Sequence, residues 1–461
     1  MSATLVLHDG LSAELREAAA LPVETGGVLL ANLVTGPSGE TRLLGNTVRW
    51  VGEPAYLRRS RDEMLIASEG YVPALGEAAD RGLMPIWLHT HPGLSGIPLR
   101  SHYDVQVDRQ LADVFRLRAD VSAYAMLIVS PRVDGLAFSG ALEAADGSRT
   151  PIERLWQVGD RWRLTAAEDS PLGPVQGVYD RHVRAFGPDI QRVLGDLRIG
   201  VIGAGGTGSA VCEQLVRLGV RKLLIVDGDV LSESNVTRVY GSTPQDVGRP
   251  KVEVLADHLQ RIAPDLDCQV LTSMITLEPA ARRLSECDLV YGCTDDNAGR
   301  LVLSRLASFL LTPVIDVGVL LSSGADGRLV GIDGRVTVLT PGSACLVCRD
   351  RIDLARAAAE MLTPEERKRR EDEGYAPALG GREPAVVAFT TSVAAAAVGE
   401  LLERLIGYGP EPRPTELLLR WHEREMSTNT ATPRAGHYCD AHSGKWGQGA
   451  RAPFLGQVWP A

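Results

Sequence analysis

Short apolar runs separated by glycine- and proline-bearing turns dominate the first third of the chain. Residues 4–7, 27–33, 42–51 and 84–89 are largely apolar or β-branched and predict strands; residues 61–81 carry helical spacing, and residues 124–130 predict a further strand. Turn-like stretches at 147–152 and 168–174 then flank a short amphipathic piece at 156–164. Proline and glycine crowd in and the periodicity fades, which predicts a linker over 147–178 with the domain boundary near 165–178. Beyond it, after a helix-like stretch at 190–197, residues 198–202 form an apolar run and Gly203, Gly205, Gly206 and Gly208 follow. Residues 210–219 are amphipathic, and residues 223–226 form a second apolar run that ends on Asp227 and Asp229. Strand, glycine turn, helix and acid-tipped strand, in that order, predict a nucleotide-binding βαβ unit. The glycines let the backbone turn tightly and approach phosphate oxygens, the helix N-terminus offers free N–H groups, and Asp227 stands where a ribose hydroxyl would be held. A buried strand at 289–292 leading to Asp295 and Asp296, a strand pair near 318–340, a charged helix at 349–370, a crossover at 371–384 and an alanine-rich helix at 385–406 continue the α/β pattern. The expected organisation is an α/β domain at residues 1–146, a linker at 147–178, a doubly wound Rossmann-type domain at 179–442 and a tail at 443–461.

Composition narrows the setting. The 461 residues suffice for two or three domains, and 44% hydrophobic with 23% charged residues is ordinary for a globular cytosolic protein. A formal net charge of −10 leaves no basic footprint for nucleic acid. No apolar run approaches the roughly 18 residues of a membrane span, and the N-terminus lacks the basic-then-apolar pattern of a signal peptide. The cytoplasm is therefore the expected location. Lysine is confined to Lys222, Lys251, Lys368 and Lys445, so each one carries information.

In the first domain, His89 and His91 lie two apart on an expected strand, so both imidazoles face one side and can bind one ion. Asp104, at the start of the following helix, completes three protein ligands and leaves one position open, which is the mark of a catalytic rather than a structural zinc site. Such a site needs a base, and Glu24 precedes a strand upstream. Over roughly the first 140 residues this pattern resembles the JAMM (MPN/JAB) metallopeptidases in their compact prokaryotic form. The resemblance implies zinc on His89, His91 and Asp104, Glu24 as general acid/base, and Ser101 steadying the oxyanion during hydrolysis of an amide or isopeptide after a ubiquitin-like C-terminus. The spacer before Ser101 is longer than is usual in that family; Gly93, Gly96 and Pro98 suit a bulged loop there.

The second domain, with Asn235 and Arg238 after the acid-tipped strand, Lys251 thirteen residues later, and Asp295 five before Arg300, resembles the E1-like ThiF/MoeB/HesA adenylyltransferases. Attack of a C-terminal carboxylate on the α-phosphate of ATP requires the triphosphate charge to be neutralised and magnesium held. The resemblance implies that Arg238 and Lys251, with Asn235, contact the triphosphate, that Asp229 sits near the phosphates, that Asp295 or its neighbour Asp296 holds Mg2+, and that Arg181 is lent across a homodimer interface. A hydride-transferring oxidoreductase shares the glycine turn but has no use for the Asn235, Arg238 and Lys251 set.

Of the seven cysteines, Cys345 and Cys348 form a Cys-x-x-Cys, and Cys439 with His442 supplies a second half, a four-ligand set expected to hold structural zinc; His437 is an alternative fourth ligand. No cysteine lies between 348 and 439, where E1 enzymes that carry a thioester usually place the nucleophile, and Cys293 is the one outside candidate. The combined expectation is a peptidase and an adenylyltransferase acting on one small ubiquitin-like or sulfur-carrier protein. The acyl-adenylate would pass to a sulfur donor or, in a conjugation system, to an E2-like protein.

Overall fold

Near-continuous apolar runs make the central strands Gly26–Thr35, Met84–Thr90 and Ala123–Arg132 buried on both faces, and the chain covers both faces with helices. The computed structural model describes residues 2–93, 98, 100–132, 135–167, 172–324, 326, 328–372 and 384–460. Most of the expected crossover at 371–384, Gly96 of the expected bulged loop, and residues 168–171 lie outside the described residues. The chain divides into two units, Met1–Leu172 and Gly173–Ala461.

The first unit runs β1 (Ala3–His8), α1 (Asp9–Ala19), β2 (Gly26–Thr35), β3 (Thr41–Trp50), β4 (Tyr56–Arg59), β5 (Met64–Ile66), α2 (Val72–Arg81), β6 (Met84–Thr90), α3 (His102–Ala119), β7 (Ala123–Arg132), β8 (Gly135–Ala144), β9 (Arg149–Val158) and β10 (Trp162–Ala166). Its sheet has the order β1-β3-β2-β6-β7-β8-β9-β10, and β9 also pairs with β1, so the sheet curls back on itself. Leu11 and Leu15 of α1 pack into one face with Leu5, Leu29, Ile86 and Leu127; α2 and α3 cover the other around Trp87, Phe115 and Tyr124.

Two expectations change here. Residues 149–166, expected as linker, form β9 and β10 and complete the sheet, because Ile152, Leu155, Trp156 and Trp162 are buried, β9 takes up backbone hydrogen bonds that β1 would otherwise leave open, and β10 pairs with β9. Residues 61–81 are not one helix: β5 pairs with β4 as a separate hairpin, and α2 begins only at Val72, with a proline in its first turn.

The second unit runs α4 (Asp180–Phe186), α5 (Pro188–Asp196), β11 (Arg198–Ile202), α6 (Gly206–Leu218), β12 (Lys222–Val226), α7 (Lys251–Ile262), β13 (Asp267–Leu271), α8 (Glu278–Arg283), β14 (Leu289–Gly292), α9 (Asn297–Phe309), β15 (Val314–Ser323), β16 (Leu329–Leu339), α10 (Leu354–Glu360), α11 (Pro364–Asp372), α12 (Val387–Ile406), β17 (Glu416–Arg420) and β18 (Glu425–Asn429). Strand order is β13-β12-β11-β14-β15-β16-β17-β18, parallel from β13 to β15 and antiparallel beyond. The chain moves one way from β11 to β12 and β13 and then returns to the other side with β14, so a ligand crevice opens at the C-terminal ends of β11 and β14. The alanine-rich α12 packs on α6 and on β15 and β16, burying Val393, Ala394, Ala397 and Leu401. Residues 443–461 are part of this unit as well: backbone N–H groups of Gly447 and Gly449 donate to Ser308 and Phe309, and Phe454 is buried.

Candidate functional site

In the first unit, β6 is buried along its whole length and carries His89 to the sheet's C-terminal edge. Ser101 caps α3: its Oγ accepts from the Asp104 N–H at 3.1 Å, and the Asp104 carboxylate accepts from the Ser101 N–H at 2.6 Å. This reciprocal cap aims the other Asp104 oxygen at the histidines. Asp104 Oδ1 lies 3.2 Å from His89 Nε2, Asp104 Oδ2 lies 3.8 Å from His91 Nε2, and the two imidazole Nε2 atoms are 3.2 Å apart. One donor atom from each of the three residues falls within 4.8 Å of the others, a set that fits a single cation with an open side. Glu24 stands beside it, 3.9 Å from His91 Nε2. Its backbone is held from the hairpin: the Arg59 Nε donates to the Glu24 carbonyl and the Glu24 N–H donates to the Ser60 carbonyl.

The electrostatics divide the roles. Burial pushes the Glu24 carboxyl up to about 7, against the pull of His89. Burial also raises Asp104, but the His89 hydrogen bond and charge and the Ser101 donors outweigh it and hold that carboxyl well below the usual range. Burial and the neighbouring His89 lower His91, favouring the neutral, metal-ligating form. A poised base next to an ionised ligand is what metal-assisted hydrolysis requires.

In the second unit the glycine turn has the shape that its sequence demands. Gly203 has φ of +97°, and a Cβ there would meet the Cys293 carbonyl oxygen at 2.6 Å. A Cβ at Gly208 would meet the Gly203 carbonyl oxygen at 1.8 Å, so only glycine lets α6 start this close to β11. Gly205 is the residue before α6, and Gly206 opens it. Asp227 accepts from the Ala204 N–H at 2.6 Å and the Asp229 N–H at 2.8 Å, one bond to each oxygen, leaving a second acceptor position on both. Burial raises its pKa despite Lys251 and these two donors.

Beside the turn lies a pocket of about 1030 Å³ lined by Asp229, Asn235, Arg238, Lys251, Asp295 and Arg300 together with residues of β15, β16 and α10. Lys251 Nζ bonds Asp229 at 2.7 Å. Arg238 crosses over the turn, its Cγ and Cδ 3.2 Å from where a Gly206 Cβ would be. Of the two acids, Asp296 is occupied as the N-cap of α9, accepting from the Gly299 N–H and Thr294 Oγ1, whereas Asp295 is exposed to the pocket. Arg181 is exposed on α4 and does not line this pocket.

Sequence reasoning passed over Arg335, Arg351, Arg356 and Glu360, which also line the pocket. The signal was there in part: Asp316 and Arg335 are charged residues set in the apolar strands β15 and β16.

The third cluster corrects a ligand. Cys345, Cys348 and Cys439 converge with His437, not His442. His437 Nδ1 is 3.4 Å from Cys345 Sγ, 3.4 Å from Cys348 Sγ and 3.3 Å from Cys439 Sγ, and Cys348 Sγ to Cys439 Sγ is 3.7 Å. A tetrahedral zinc with Zn–S bonds of about 2.3 Å has ligand–ligand edges of about 3.8 Å, so this donor set fits one ion. Asp440 turns the chain away after Cys439 by capping the short helix Ala441–Ser443, which leaves His442 exposed.

Elsewhere in the second unit, burial raises the thiols of Cys212 and Cys293, and pushes that of Cys268 up to about 12. Cys293, partly exposed, lies against the glycine turn, where its surroundings disfavour the thiolate.

The ThiF family model matches residues 179–441, more than half of the chain. The chain belongs to the ThiF family. It is 32% identical over 178 residues to the molybdopterin-synthase adenylyltransferase of Escherichia coli, covering 38% of this chain and 68% of that protein. It is 28% identical over 172 residues to the SAMP-activating enzyme E1 of Haloferax volcanii, covering 37% of this chain and 60% of the relative. It is 31% identical over 153 residues to the sulfur carrier protein ThiS adenylyltransferase of E. coli, covering 33% of this chain and 57% of the relative. The chain thus spans well under three quarters of each relative. The residues matched by the ThiF model all lie in the chain's second unit. No helix among the described residues is long and apolar enough to cross a membrane.

Proposed function

We propose that this protein adenylates the C-terminal carboxylate of a small ubiquitin-like or sulfur-carrier protein and that its first unit processes or releases the same carrier by zinc-dependent hydrolysis. The observation that carries the first part is the convergence of Arg238, Lys251, Asn235, Asp229 and Asp295 on one pocket at the sheet's switch point. Arg238 and Lys251 neutralise the triphosphate, and the carrier carboxylate oxygen attacks the α-phosphorus. The bond to the β-phosphate oxygen breaks, pyrophosphate leaves and an acyl-adenylate remains. Mg2+, held by Asp295, would offset the charge of the leaving pyrophosphate. Arg181, free on α4, serves the pocket of a second copy in a homodimer.

The second part rests on the JAMM-like arrangement of His89, His91 and Asp104 around one point with Glu24 adjacent. Zinc there would supply Lewis-acid activation of water. Glu24 takes the proton from water and returns it to the leaving amine, and Ser101 lies at the cap of α3 beside the cluster.

Sulfur-carrier activation is favoured over conjugation through an internal thioester. No cysteine lies between 348 and 439, and the partly exposed Cys293 has its thiol pKa pushed up. ATP–pyrophosphate exchange on the intact protein with a Gly-Gly-ending carrier tests the first activity. Exchange should be lost in Lys251→Met, and carrier-independent NAD turnover would instead sink the reading. Zinc content and cleavage of a C-terminally extended carrier test the second activity, which falls if a zinc-loaded protein leaves the extension uncut.

A further inference from the structure

The pocket floor beside the phosphate-matching residues contains a charge cluster that the adenylation chemistry above does not use. Asp316 stands in the apolar run of β15 with its side chain 0% exposed. Arg335, from the facing strand β16, donates Nη2 to Asp316 Oδ2 at 2.8 Å, and Arg300, from α9, places its Nε 3.6 Å from Asp316 Oδ1. Both arginine side chains are only 17% exposed, and both line the pocket. Gly318 explains the approach: a Cβ there would lie 3.3 Å from Arg300 Nη2 and 3.5 Å from Arg335 Nη2, so the guanidinium groups lie over a bare stretch of strand.

Two guanidinium groups share one carboxylate, so the three-residue cluster carries one excess positive charge, while Asp295, Asp296, Asp333 and Glu360 lie elsewhere on the pocket wall. Asp316 Oδ1 and the Nε atoms of Arg300 and Arg335 have no hydrogen-bond partner among the described residues. Lys251 is already matched by Asp229. A desolvated excess charge is costly unless an anion meets it, and planar guanidinium groups meet a carboxylate best, through paired hydrogen bonds.

We propose that Arg300, Asp316 and Arg335 form a carboxylate receptor that seats the C-terminal carboxylate of the carrier's tail before adenylation, Arg300 and Arg335 as donors and Asp316 as the positioning residue between them. This rests on the adenylation reading above. The receptor makes the pocket selective for a free carboxylate end with no side chain large enough to crowd Gly318.

The test is calorimetry on the intact protein with magnesium and α,β-methylene-ATP, using N-acetyl-glycylglycine as the carboxylate probe and its C-terminal amide as the control. The wild type should bind the acid and not the amide. Arg335→Met should weaken the acid by about tenfold or more, as for loss of a charged hydrogen bond, with Arg335→Lys in between, while nucleotide affinity changes little. Gly318→Ala should also weaken the acid. Retained nucleotide binding shows that each variant is folded. The proposal is overturned if the wild type binds acid and amide alike or binds neither, or if Arg335→Met binds the acid unchanged. It is also overturned if nucleotide affinity falls in step with the acid, which would assign the cluster to the triphosphate. Failure of the wild type to bind nucleotide at all would instead remove the adenylation reading.

Discussion

The two candidate metal-ligand clusters differ in both donor chemistry and closure. Around His437, four donors close on one point with edges of 3.3 to 3.7 Å and leave no vertex for water. Around His89, three donors gather on one side, and a carboxylate with its pKa raised to about 7, Glu24, stands 3.9 Å from His91 Nε2 beside the open position. The first arrangement can only hold chain segments together: it ties Cys345 and Cys348 to a turn some ninety residues later. The second can do chemistry because it is incomplete. Ligand count and ligand type both separate a closed structural site from an open catalytic one.

The sharpest way to break this contrast is to remove a staple ligand. Cys348→Ser is expected to lose one zinc per chain by elemental analysis and to unfold the second unit at ordinary temperature, since a structural zinc site contributes on the order of 10 kcal/mol to folding. His437→Ala should follow it, while His442→Ala keeps its zinc; the reverse outcome would restore His442 as the ligand. Next in size, His89→Ala should lose the other zinc and all hydrolysis of an extended carrier, with circular dichroism and ATP–pyrophosphate exchange intact. If exchange falls as well, the two centres are not independent.

Glu24→Gln is a milder change that separates binding from chemistry. It should keep the metal and slow hydrolysis by about 10²–10⁴-fold, the usual worth of a general base. The working form of Glu24 is the carboxylate, so wild-type hydrolysis should rise with pH toward about 7 and fall roughly tenfold per unit below its pKa; a bound cation would draw this limb to lower pH. The limb should vanish in the glutamine variant. The smallest effect is expected for Ser101→Ala. Loss of the α3 cap costs about 1 kcal/mol in thermal unfolding, and a further fall in kcat with unchanged KM would mark an oxyanion role beyond the cap.

Legibility followed the range of the interaction that fixes each feature. The glycine turn was plain because its requirement is local: Gly203 needs a left-handed φ and Gly208 must clear a carbonyl five residues away. The His89 and His91 pair was equally plain, since strand alternation alone puts both on one side. The strands at 149–158 and 162–166 read as linker because turn residues flank them; the first pairs with β1, some 150 residues earlier, and the second is ordered by the first, a pairing no local period records. The hairpin at 56–66 was missed for the same reason on a smaller scale: a three-residue strand is too short to show its period.

The sequence by itself determined the chemistry on offer. It specified a nucleotide turn, three potential ligands for an open metal site, two pairs of donors for a closed one, and no cysteine where a thioester would need it. Those are properties of residue type and short spacing, which the covalent chain sets directly. Only the tertiary structure decided which acids and cations meet. Folding made Asp296 a helix cap and left Asp295 open, chose His437 over His442, set Cys293 against the turn, and set Arg300 and Arg335 against Asp316. Each of those outcomes depends on strands and helices far apart in the chain arriving at one place. The burial that results then alters charge and reactivity in ways that composition and spacing do not encode.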